Sequence, residues 1–147
     1  MTAGDAAGTA PASLTGFLAA RLDEDEQMAK FATPGPWHIP EHDPLFYCVD
    51  SPDGSGRICK FGDRRCGDDV HNSLHIARHD PGRVLREAAA GRAILAAYEA
   101  VLRDGASAGD PARRPRLYGE HDGLRMAVTQ LAAVYSDHPD YQEEWKP

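Results

Sequence analysis

The sequence predicts an α+β fold: a small antiparallel β-hairpin or sheet packed against three to four helices, the longest over about residues 81–103. Three observations carry this reading. Val84, Ala88, Gly91, Leu95, Tyr98 and Leu102 recur at alternating four–three spacing, the period of one helical face. Two β-prone runs, 45–50 and 57–61, flank Ser51-Pro52-Asp53-Gly54-Ser55-Gly56, a strong turn signal. An earlier stripe of Leu14, Phe17, Leu18 and Leu22 leads into Thr33-Pro34-Gly35-Pro36, where each proline removes an amide donor and disfavours helix at the residue before it.

At 147 residues the chain has the size of one ordinary domain, about 100–150 residues. Residues 1–12, rich in Ala, Gly and Thr, read as a disordered tail without the basic and apolar regions of a secretory signal. Residues 13–147 read as a single domain with a flexible loop at 104–119. Hydrophobic residues make up 41% and charged residues 27%, and no run approaches the roughly 18 apolar residues of a spanning helix. No membrane association is expected. Sixteen Lys+Arg against 23 Asp+Glu leave a net charge of −7, which argues against general affinity for nucleic acid. Three cysteines are an odd number and few for a disulfide framework, so a reducing cytoplasm is the expected location.

The first helix is expected over about 13–32, with Ser13 or Thr15 as N-cap. Met28, Ala29 and Phe31 continue its apolar stripe beyond a solvated acidic patch at Asp23–Glu26. Residues 37–39 suit a short first strand. For the hairpin, one register sets Phe46 opposite Phe61, Cys48 opposite Cys59 and Asp50 opposite Arg57, with Val49 paired to Ile58; matched pairs of this kind contribute roughly 0.2–1 kcal/mol each. The competing register has a type I turn with Pro52 second and Gly54 left-handed, and it sets Tyr47 opposite Cys59. Asp68 or Asp69 caps a helix running to about His79. There Asp80 serves as a fresh N-cap and Pro81 as the first residue of the next helix. A last helix is expected over 121–135, and the spacing of Tyr141 and Trp145 lets a short terminal turn lay both rings on the body.

One constellation has the residue types of a metal site. His71, His75 and His79 recur every four residues, so adjacent pairs share a helix face, although each step drifts by about 40°. The best zinc arrangement takes His71 and His75 with Cys66, and Cys48 or Cys59 from the hairpin, since thiolates and imidazoles are what zinc favours. No zinc knuckle, HExxH, nucleophile elbow, P-loop or dinucleotide fingerprint is present. No catalytic residue is therefore assigned. Trp37, His79, Tyr141 and Trp145 are the candidate binding residues, with the two tryptophans better suited to be core or docking anchors than ligand-stacking platforms.

Four blocks carry a resemblance spanning roughly 14–147: Ala20-Arg21-Leu22-Asp23-Glu24-Asp25-Glu26-Gln27; Ala32-Thr33-Pro34-Gly35-Pro36-Trp37; His75-Ile76-Ala77-Arg78-His79-Asp80-Pro81 with Val84-Leu85-Arg86-Glu87; and His138-Pro139-Asp140-Tyr141-Gln142-Glu143-Glu144-Trp145. Together they resemble a family of small actinobacterial and actinophage proteins of unknown function. The resemblance implies no catalytic residue, cofactor or substrate. The Gly/Pro/Arg loop at 104–116 and the cysteines depart from the family pattern, which weakens the zinc arrangement. The leading expectation is a non-enzymatic accessory or binding protein, of phage or mobile-element origin, acting through a protein partner or a second copy. Zinc binding through the helix histidines and cysteine is the alternative, and nucleic-acid contact through Arg113, Arg114 and Arg116 ranks third.

Overall fold

The computed structural model describes residues 13–43, 48–54, 56–61, 68–107 and 114–147. In order these form α1 (Leu14–Phe31), β1 (Cys48–Asp50), β2 (Arg57–Lys60), α2 (Asp68–Arg78), α3 (Pro81–Ser107), α4 (Arg114–Ala133) and a 3₁₀ turn at Glu143–Trp145. The α+β architecture is as expected. The expected tail at 1–12 lies outside the described residues. Two compact units emerge, one formed by residues up to Leu22 together with Ala90–Pro147, the other by Asp23–Ala89.

In the first unit, Ser13 caps α1: its side-chain oxygen accepts the Gly16 amide at 3.1 Å and its carbonyl the Phe17 amide at 2.9 Å. Phe17, Leu18 and Leu22 are buried, as are Leu95 and Tyr98 of α3 and Val128 and Ala132 of α4. At Gly91 a Cβ would lie 3.0 Å from Leu22 Cδ2, so the absence of a side chain there admits the α1 leucine. The stripe on α3 is thus covered by its own chain through Tyr98, while Leu102, expected in it, is 43% exposed. The loop expected at 104–119 is shorter. Helix α3 runs to Ser107 and α4 begins at Arg114, seven residues before the expected start. Pro115 falls in the first turn, where its missing amide costs no intrahelical bond.

In the second unit, α2 packs against β1, and β1 pairs antiparallel with β2. Asp50 lies opposite Arg57, as the first register expected, but a bulge follows: Val49 faces Cys59 and Cys48 faces Lys60. Ile58 is the extra residue, so the Cys48–Cys59 and Val49–Ile58 pairs do not form. Nor does the competing register, which shifts in the opposite direction. Its turn chemistry is nevertheless present. The Gly54 amide donates to the Ser51 carbonyl at 3.0 Å, with Pro52 second and Gly54 at φ +68°, a left-handed conformation that favours glycine. The strand expected at 37–39 reduces to one bridge, His38 to Asp50, on the other edge of β1. Residues 44–47, including Phe46 and Tyr47, lie outside the described residues.

Helix α1 ends as its prolines dictate, and the Gly35–Pro36 peptide is cis. Met28 and Phe31 are corrections to the expected stripe: they are 73% and 90% exposed. At about 100° per residue, Met28 sits about 100° and Phe31 about 200° around the helix from Ala29, which is the residue this segment buries.

Candidate functional site

The break between α2 and α3 is built from three groups. Asp80 is the N-cap of α3, its Oδ1 accepting the Arg83 amide at 2.7 Å while its carbonyl accepts the Arg83 and Val84 amides. Pro81 occupies the first helical position. His79 finishes α2, its backbone amide and its ring Nδ1 both meeting the His75 carbonyl, the ring at 2.8 Å. The loop after α1 closes on this corner: a Cβ at Gly35 would lie 2.6 Å from Asp80 Oδ2 and 2.8 Å from its Cγ. Trp37 is half-buried, its indole N–H donating to the Thr33 carbonyl at 2.8 Å.

A second cluster surrounds Phe17 in the other unit. Trp145, 7% exposed, sets its ring 5.1 Å from Phe17, and Tyr141 stands edge-on to both rings at 5.8 Å. His138 presents an edge to Phe17 at 5.7 Å; its Nδ1 accepts the Asp140 amide at 3.1 Å and its Nε2 meets the buried Arg21 guanidinium. Arg21 also lies over the Phe17 ring, 5.5 Å from its centroid, within cation–π range. The expected terminal turn is therefore real, with Tyr141 and Trp145 engaged in packing. The sequence reading missed the pairing of Arg21 with His138. Its only trace is a lone arginine on the apolar side of α1, one residue before Leu22.

Of the expected zinc ligands, Cys66 lies outside the described residues. His71 and His75 are exposed on α2, Cys48 is buried in β1 and Cys59 is half-buried in β2. Among the described residues, no three His, Cys, Asp or Glu side chains gather as a metal cage. The His75 and His79 rings, however, lie 4.1 Å apart and tilted by 36°. Burial pushes the Cys48 thiol up, opposed by Arg57 and reinforced by Asp43 and Asp50. Burial also raises Cys59, against a lowering by the Val49 backbone hydrogen bond. Asp50, buried in β1, accepts from Arg57 Nε at 3.1 Å, and this bond holds the guanidinium protonated still more firmly. Arg113 lies outside the described residues, and Arg116 pairs with Glu120 at 2.9 Å.

These features define a small α+β protein whose distinctive sequence blocks meet at two packed corners, Gly35 with Asp80 and Arg21 with His138. The chain belongs to DUF6221, a family of unknown function, whose family model matches residues 11–147. No curated protein and no solved structure matches it. No helix among the described residues is long and apolar enough to cross a membrane.

Proposed function

We propose that this is a non-enzymatic accessory protein that acts by holding a protein partner on the last two turns of α1. The four sequence blocks point to a source in actinobacteria or their phages. Exposure of Met28 and Phe31 carries the reading: an aromatic ring 90% in solvent, one turn from a 73% exposed methionine. The two line a shallow groove with Glu24, Gln27 and Ala32. Apolar side chains grouped at the surface mark interaction sites more often than isolated ones do, and methionine adapts its shape to a partner. The apolar stripe on α3 is occupied by Leu22 at Gly91. Most of the distinctive residues (Arg21, Gly35, His79, Asp80, His138, Tyr141 and Trp145) are engaged in helix ends and packing, which supports a binding role over catalysis.

Charge selects the partner. The groove adjoins the acidic run Asp23–Glu26, in which Glu26 pairs with Lys30. A second copy would bring the same negative run against itself. The occupant is a different protein with an apolar anchor and a basic rim.

The test places a photo-crosslinking residue at position 31 in the producing cell, with exposed position 41 as control. The expected result is a heterologous adduct at 31 and none at 41, lost when Met28 is also changed to Ser. An adduct only with a second copy, or equal labelling at 31 and 41, overturns the proposal.

A further inference from the structure

We propose that His75 and His79 form a two-imidazole site for a divalent transition ion (copper, nickel or zinc) at the C-terminal end of α2, independent of the Phe31 surface and of the cysteines. The first support is geometric. Residues four apart on a helix are neighbours, and here the two rings stand 4.1 Å apart at 36°, close enough to offer their nitrogens to one ion. His75 is exposed, and both rings line a groove of about 350 Å³ with His71, Leu74 and Arg78.

The second support is the orientation of His79. Its Nδ1 lies 2.8 Å from the His75 carbonyl, and only an N–H can donate to a carbonyl, so Nδ1 carries the ring proton. In the neutral ring the lone pair then sits on Nε2. Metal-bound histidines show this arrangement, with the second nitrogen donating to a backbone carbonyl or carboxylate that fixes tautomer and ring direction. The helix-capping role uses Nδ1 alone, and among the described residues neither Nε2 of His79 nor a ring nitrogen of His75 makes a hydrogen bond.

Electrostatics chooses a cation over an anion. Helix α2 ends at Arg78, so both rings lie at the negative end of its dipole, which favours positive charge. The chain's net charge of −7 raises the local cation concentration further. Arg78 opposes this, but it is exposed and its field is screened by solvent. Imidazole ligands select copper, nickel or zinc over magnesium and calcium. Water completes the coordination, and His71, about 80° around the helix from His79, is not required.

The experiment titrates tag-free full-length protein with nickel(II) and zinc(II) by calorimetry. One equivalent of each is expected to bind. His79→Asn keeps an amide N–H at the Nδ1 position, preserving the helix end while removing the Nε2 lone pair. It and His75→Ala should each weaken binding by about tenfold or more. His42→Ala and Cys66→Ser should leave binding unchanged. In NMR spectra, paramagnetic nickel should broaden the ring protons of His75 and His79 while sparing those of His38 and His121. Absence of a stoichiometric site, equal affinity in His79→Asn, or loss of binding in Cys66→Ser overturns the proposal.

Discussion

Replacing Trp145 by Ala tests whether the last residues of the chain are part of the core. The side chain is 7% exposed and lies against Phe17 and Tyr141. A buried aromatic hides about 150–250 Å², which at about 25 cal/mol per Å² is about 4–6 kcal/mol. That range is an upper bound, because the unfolded chain already covers part of its apolar surface. Measured truncations of this class cost about 3–5 kcal/mol. With a urea dependence of about 2 kcal/mol per molar, the midpoint followed by far-UV circular dichroism should fall by about 1.5–2.5 M. Trp145→Phe, which keeps a ring against Phe17, should recover most of the loss. A Trp145→Ala midpoint within about 0.3 M of wild type would refute the assignment of the tail to the core.

Gly35→Ala drives a Cβ into the Asp80 carboxylate and should cost about 1–2 kcal/mol, the scale of a lost N-cap; in a double-mutant cycle with Asp80→Ala the two losses should overlap, and strict additivity would count against the contact. Gly54→Ala strains a left-handed residue and should lower stability by about 1–2 kcal/mol, whereas Gly54→Asn should cost less; equal midpoints for the three chains would contradict the turn. Because burial raises the Cys48 and Cys59 thiols, the folded chain retains protons that the unfolded one releases. Stability is therefore full below the unfolded thiol range of about pH 8.5 and declines as pH rises through it. Urea midpoints across that range should fall less in Cys48→Ala/Cys59→Ala, and an unchanged slope would be the contrary result. Phe31→Ser should shift the wild-type midpoint by no more than about 0.5 kcal/mol equivalent, as expected for a surface position; a larger loss would mean the ring is covered.

Local chemistry was the legible part. Asp80-Pro81 states a helix start in two residues, Ser13 a cap, Pro52 and Gly54 a turn, and each works through groups within four positions. The spacing of Tyr141 and Trp145 likewise announced a docked turn. The bulge at Ile58 was not legible, because a one-residue slip is decided by what covers each strand face, not by matching pairs across the turn. Phe31 reads as apolar in a window too short to show that Ala29 defines the buried side. Pro115 and Gly119 masked the start of α4 because both residues are read first as loop formers. For the candidate sites, the four-residue histidine spacing was visible. The choice of His75 with His79 needed the ring geometry at the helix end, and Arg21 with His138 joins positions no local pattern connects.

The packing of Phe17 beneath Trp145 also sets a schedule for biosynthesis. Arg21 and its histidine partner are separated by 117 positions, and ribosomes add about 5–20 residues per second. The first helix thus waits roughly 6–23 s after emerging before that partner has been made. Throughout that interval an uncovered phenylalanine and leucine face solvent or a chaperone, so premature termination near position 138 would yield a chain prone to aggregate.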